Sequence, residues 1–171
     1  NNEFIYGCAI AFEPNYFSSE GYYFSPYSYR AENGEIKTMQ LGTDTYDYHY
    51  MDWYQIPKLL NKPYWSEPYY DDGGGEEMMT TYSKPLYDAD GKLYAIITAD
   101  LSLEWLTNLV GEIQAFNNSY NLMVSRNASF IVHPDRDLIL NETIFSSTYG
   151  DADESLKKLQ DDIVNCRAGE V

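Results

Sequence analysis

An unbroken apolar run at residues 4–12, ended by Pro14 and Asn15, predicts a buried strand. Residues 21–30 carry Tyr22, Tyr23, Phe24, Tyr27 and Tyr29, the pattern of a second strand or an aromatic loop. Asn33-Gly34, inside the turn at residues 32–35, is a hairpin signal, so residues 36–41 are read as a short returning strand. Trp53, Ile56, Leu59 and Leu60 fall at helical spacing within residues 50–61, and Pro57 limits that helix to short pieces. Pro63 and Pro68 hold residues 64–70 extended, and residues 71–75 form a turn. Residues 77–85 and 92–99 read as strands around a turn at 87–91. Leu103, Leu106, Val110 and Ile113 then give a helical stripe running to about Phe116, with Asp100 or Ser102 as its cap. Residues 117–119 break it. Residues 121–125 and 129–132 read as a strand pair around the turn at 126–128. Residues 152–164 read as a short helix with Leu156, Leu159 and Ile163 inward. Strands and helices in this order, without regular alternation, predict an α+β fold with an antiparallel sheet.

Composition narrows the function. The chain has 171 residues, 44% hydrophobic and 16% aromatic, enough for one domain or one domain plus part of another. Its formal net charge of −16 repels phosphate backbones and anionic lipid, so no nucleic-acid partner is expected, and a cationic or neutral ligand fits better than an anion. The 18 tyrosines suit half-buried strands and ligand walls alike. Cys8 and Cys166 stand in no metal-ligand spacing, so no metal is expected, and they leave one disulfide open. No cofactor motif is found. The sequence has no apolar run long enough to span a bilayer and no signal peptide, and both ends read as cuts from a longer protein.

The richest stretch is residues 52–103, where large rings alternate with carboxylates: Asp52-Trp53-Tyr54, then Trp65-Ser66-Glu67-Pro68-Tyr69-Tyr70-Asp71, then a strand ending at Asp100. Such a segment builds a pocket with an apolar wall and an acidic floor, which points to ligand sensing more than to catalysis.

Ala11-Phe12-Glu13-Pro14, Asp52-Trp53-Tyr54, residues 65–71, Thr81-Tyr82-Ser83-Lys84-Pro85 and Ala99-Asp100-Leu101-Ser102-Leu103, in this order, resemble the Cache superfamily and within it the double-Cache sensors. Residues 120–125 and 130–134 resemble the opening hairpin of a second module. The resemblance covers roughly residues 4–145. It implies a PAS-like antiparallel sheet flanked by helices. Residues 1–105 would form a membrane-distal module, 101–117 a connecting helix, and 118–171 part of a membrane-proximal module. It implies an extracytoplasmic domain of a transmembrane receptor, anchored by segments outside this chain, with a histidine kinase, chemoreceptor or phosphatase as output and a possible homodimer.

Many amino-acid-binding members share a pocket pattern. It falls here on Tyr46, on Trp53-Tyr54, on Tyr69 and Asp71, and on Asp100, with Tyr82 on a strand beside it. Where those members carry an Arg that grips the ligand carboxylate in a fork, this chain has Met51, which has no such donors. The half that receives an ammonium, Asp71 and Asp100 with nearby rings, is kept. The expected partner is therefore an amine or another small molecule without an α-carboxylate.

Plainer readings stand beside these. Asp100 also suits a helix cap, Trp53 and Trp65 suit the core, and Tyr82 can face either way. Asp88-Ala89-Asp90-Gly91 lacks the rest of a calcium loop and reads as a turn. His49 and His133 have no nucleophile in a recognisable frame, so no enzyme is expected. A surface carbohydrate-binding or adhesive module is the alternative function. It would show a flat exposed aromatic platform in place of enclosed rings. A hydrolase, third, would need two carboxylates facing across a cleft.

Overall fold

The computed structural model describes residues 4–31, 33–72, 74–113, 116–150 and 153–165. The chain folds as two compact units. One holds the residues up to Ser66 together with Tyr70–Ser102. The other holds Glu67–Tyr69 and the residues from Leu103 onward.

The first unit is built on an antiparallel sheet from β1 (Gly7–Phe12), β2 (Pro26–Arg30), β3 (Ile36–Gln40), β4 (Tyr64–Trp65), β6 (Met78–Tyr87) and β7 (Leu93–Ser102). Their spatial order is β3-β2-β1-β7-β6-β4. The two-residue strand β5 (Tyr69–Tyr70) straddles the division between the units. The long hairpin β6–β7 is the spine of the sheet. Its register sets Thr81 opposite Asp100, and β1 sets Gly7 opposite Asp100 from the other side. Helix α1 (Asp52–Leu60) packs across β4, β6 and β7. Side chains alternate across the pleat, which buries Ala9, Ala11, Tyr27, Met79 and Ile96 on one face and Phe12 and Ala95 on the other, and Tyr48, Trp53 and Tyr54 are buried as well. β3, the edge strand, is mostly exposed.

Three local expectations are corrected. Helix α1 runs unbroken through Pro57, whose ring is fully buried. The helix is closed by Asn61 in the left-handed region at φ 55°. Proline removes one bond from so short a helix, and burial of its ring compensates. Strand β7 extends to Ser102, so Asp100 lies within the sheet and its carboxylate bonds across to β6 and not to a helix end. Helix α2 (Leu103–Gly111) ends five residues before Phe116. The Asn121 side-chain amide donates to the carbonyls of Val110 and Ile113 and so satisfies acceptors at its end.

In the second unit, Leu106 and Val110 of α2 pack on Val132 of a small hairpin, β8 (Met123–Val124) and β9 (Phe130–Val132). Ala128, Phe130 and Ile144 form a second cluster. It draws in α3 (Ile144–Ser147), opened by a Thr143–Ser146 capping box, and Leu159 and Ile163 of α4 (Glu154–Val164). Cys8 is exposed, and Cys166 lies outside the described residues, as does any pairing between them. Among the described residues no helix is long and apolar enough to cross a membrane.

Candidate functional site

Two aspartates lie almost wholly inside the first unit: Asp71 is 6% exposed and Asp100 4%. Asp100 comes from β7, and its Oδ1 accepts a bond of 2.8 Å from the Thr81 hydroxyl on β6. The register explains this, because directly opposed residues point to one face. Asp71 comes from the turn before β6. Its Oδ2 accepts the backbone N–H of Gly75 at 2.6 Å, and its Oδ1 accepts the Tyr46 hydroxyl at 3.2 Å. The Trp53 indole N–H faces the Tyr46 oxygen in turn. The Tyr6 hydroxyl donates to the Gly75 carbonyl at 2.6 Å, tying β1 to the same turn.

The electrostatics of this arrangement are strained. Burial pushes the Asp100 carboxyl up to about 7; Asp71 adds to this by repulsion, and the Thr81 hydroxyl opposes it. Burial likewise raises the Asp71 carboxyl, against the stabilising donors Gly75 and Tyr46. Among the described residues neither carboxylate forms an ion pair with a Lys or Arg; Lys58 pairs with Glu13 and Arg136 with Glu104. Two adjacent buried acids without a cation are costly in the free protein, and a bound cation removes that cost. Among the described residues no cluster of His, Cys, Asp and Glu is arranged to hold a metal ion.

The fold gathers Tyr46, Trp53, Asp71 and Asp100 and turns Tyr54 and Tyr82 toward other partners. Tyr54 is fully buried, but its hydroxyl donates to Glu13 Oε1 at 2.5 Å, and its ring packs against Tyr48 and His49. It follows Trp53 on a helix, so it points about 100° away. Tyr82 follows Thr81 on a strand and therefore faces the opposite side, where it packs on Trp65 with ring centroids 5.2 Å apart. Met51 is half-buried at the cap of α1, where its carbonyl receives the N–H groups of Tyr54 and Gln55. Tyr69 belongs to the second unit. His49 is held by Asp47 and the Phe12 carbonyl, and no nucleophile is among its hydrogen-bond partners.

Three residues near the aspartates carried no sequence signal that linked them to the site. Thr81 is recognisable only once the β6–β7 register is known. Tyr27, on β2, is 1% exposed, and its hydroxyl points toward Asp100. Gly75 approaches so closely that a Cβ there would lie 2.8 Å from the Tyr6 ring and 2.9 Å from the Tyr27 hydroxyl.

The antiparallel sheet with flanking helices is the PAS-like fold of a sensor domain. A family model described as the first PDC sensor domain of methyl-accepting chemotaxis protein-like receptors matches residues 1–108, and the chain belongs to this family. The extracellular domain ascribed to histidine kinase mmHK1S-Z3 is 29% identical, with a TM-score of 0.78 over 98% of this chain and 62% of its own. The periplasmic sensory domain of the Campylobacter jejuni chemoreceptor Tlp1 shares the fold at 15% identity, with a TM-score of 0.71 over 99% of this chain and 62% of its own. So does the ligand-binding domain of the Pseudomonas aeruginosa PAO1 amino acid chemoreceptor PctB in complex with L-Gln. Its identity is 19% and its TM-score 0.58, over 85% of this chain and 51% of its own. The chain thus spans less than two thirds of the length of these domains. The resemblance to Cache sensors, the α+β fold and the extracytoplasmic location hold, and the relatives are sensor domains of histidine kinases and chemoreceptors.

Proposed function

We propose that this domain senses a small cationic amine without an α-carboxylate, held between Asp71 and Asp100 with Tyr46 and Trp53 beside them. The observation that carries this reading is the pair of buried aspartates, both with raised carboxyl pKa and neither paired with a Lys or Arg among the described residues. Met51 supports the exclusion of an α-carboxylate, since a thioether gives no N–H fork to a carboxylate. An L-Gln complex is known for PctB, so a small nitrogenous ligand is within the range of the fold.

The signalling step is a population shift in which the ligand favours the state that brings both carboxylates to the ammonium. Asp100 stands three residues ahead of Leu103, where α2 begins, so a pull on the end of β7 is handed directly along the backbone. In this reading residues 1–105 are the membrane-distal module, α2 is the connector, and the rest opens a proximal module of a membrane-anchored receptor. The carbohydrate alternative finds less support: the exposed Tyr16 and Phe17 do not make a flat platform, because Phe17 stands at 84° to Tyr16 and 68° to Phe12.

Titration calorimetry with alkylamines, diamines and α-amino acids tests the proposal. Amines are expected to bind and α-amino acids to bind at least tenfold more weakly. Tight binding of α-amino acids with no response to amines overturns it, and so does unaltered amine affinity in Asp100→Ala.

A further inference from the structure

Tyr27 contributes a hydroxyl that the site as described so far leaves idle. The residue is 1% exposed, and its hydroxyl is fully shielded; it faces Asp100, yet among the described residues it closes no hydrogen bond of ordinary geometry. A buried polar group left without a partner carries a cost and calls for an explanation. Its surroundings supply one. The ring lies flat against Tyr29, with centroids 5.5 Å apart at 15°. Both flanking backbones are glycine: a Cβ at Gly7 would collide with this hydroxyl, and one at Gly75 would lie 2.9 Å from it. Gly7 is opposite Asp100 across the β1–β7 ladder, and Gly75 binds Asp71. The hydroxyl is thus set between the backbone partners of the two aspartates and directed toward Asp100 without meeting it in hydrogen-bond geometry.

Resting on the amine reading above, we propose that Tyr27 is a specificity-determining residue of this site, its hydroxyl oxygen accepting the third N–H of a primary ammonium whose other two N–H groups go to Asp71 and Asp100.

A primary ammonium has three donors, and each one buried without an acceptor weakens binding. Asp71 already receives Tyr46 and Gly75, and Asp100 already receives Thr81, so each carboxylate, with roughly four lone-pair sites, still has room to accept from an ammonium. The three donors of an ammonium diverge tetrahedrally, so carboxylates met along two of those directions leave the third N–H pointing elsewhere, and a tyrosine hydroxyl beside both aspartates has lone pairs to accept it. Burial beside Asp100 and Asp71 holds the Tyr27 phenol far above its ordinary range, so it stays a neutral hydroxyl that can both donate and accept. Each N-methyl group on the ligand removes one donor and strands one buried acceptor. The site therefore selects primary amines over their methylated forms, the reverse of an aromatic cage that favours quaternary ammonium.

The test uses the purified 171-residue chain with a straight-chain primary alkylamine and its N-methyl, N,N-dimethyl and N,N,N-trimethyl forms. Calorimetry is run on the parent, Asp100→Asn and Tyr27→Phe. The parent is expected to lose about tenfold in affinity for each methyl group added, the value of one hydrogen bond. Tyr27→Phe is expected to lose about tenfold on the primary amine and little on the trimethyl form, so that the preference flattens. Because the hydroxyl faces Asp100 without closing a hydrogen bond of ordinary geometry in the free protein, Tyr27→Phe is also expected to fold, with a melting temperature close to the parent's without ligand. An unchanged primary-amine affinity in Tyr27→Phe overturns the inference. A preference that flattens only because methylated amines bind better also overturns it, since Tyr27 would then act by bulk. If the parent binds none of the four, or Asp100→Asn binds them as the parent does, the amine site itself is wrong and the inference falls with it.

Discussion

Replacing Asp100 by Asn is expected to stabilise the free protein at pH 8 while abolishing its response to amines. Asp100 is 4% exposed, and its carboxyl is raised from an ordinary 3.8 to about 7, first by burial and then by repulsion from Asp71. The sign follows from proton linkage. Between pH 4 and 7 the unfolded chain has released this proton and the folded one retains it, so stability falls as pH rises through that window and levels off above about 7. The separation between the two values corresponds to about 4 kcal/mol lost by pH 8. Asn keeps the shape of the protonated acid, still accepts the Thr81 hydroxyl, and carries no charge to desolvate. For a chain of this length the variant should therefore melt about 8–16 °C above the parent at pH 8 and close to it at pH 4. Melting curves by circular dichroism across pH 4 to 8 read this directly. A variant that melts below the parent at pH 8, or differs from it by the same margin at both ends, refutes the reasoning.

The same linkage governs binding: amine affinity should fall by up to tenfold for each pH unit below about 7, where the cation must expel the Asp100 proton, and stay level above it. Calorimetry in buffers of different ionisation heat would show the released proton. Tyr46→Phe removes a donor to Asp71 and the acceptor faced by the Trp53 indole, and should cost about 1–2 kcal/mol in urea unfolding at pH 7. Gly75→Ala sets a methyl group 2.8–2.9 Å from Tyr6, Met79 and the Tyr27 hydroxyl, and should cost about 1–3 kcal/mol by the same measurement while weakening ligand binding. Trp65→Ala, at a half-exposed residue of β4 that contacts Tyr82, should leave amine affinity unchanged within calorimetric error.

Apolar and aromatic runs with turn residues between them made the sheet legible, because Gly, Pro or Asn lies near the strand ends. Boundaries were less legible where two signals competed. The alternation through residues 98–102 looks like a strand giving way to a helix. Pairing with β6 carries the strand on to Ser102, and that converts Asp100 from a cap into a cross-strand partner of Thr81. In the same way, Pro57 argues locally against a helix, and only the packing of its ring into the core decides otherwise. The site divides along the same line. Asp71 and Asp100 were conspicuous as acids next to rings. Whether Tyr54 or Tyr82 faces them depends on helix phase and strand parity, which a motif does not specify. The link of Thr81 and Tyr27 to the site was not legible, because their relation to Asp100 spans 19 and 73 residues and exists only through register.

These relations carry a thermodynamic consequence for signalling. A site of neutral residues would be comfortable when empty, and a ligand would then have little leverage over the equilibrium. Here the empty site holds two buried acids at odds with their surroundings, on strands tied together through Gly7, Gly75 and Thr81. The free protein lowers that cost by keeping a proton on Asp100. In the proposed reading a cation between the acids removes that incentive. The free energy available to bias one state over the other is then bounded by the cost of the empty site, about 4 kcal/mol at pH 8, and tends to zero as the acids protonate. A ligand can move an equilibrium only by its differential affinity for the two states. Any signal from this site should therefore fade at acid pH together with the strain in the empty site.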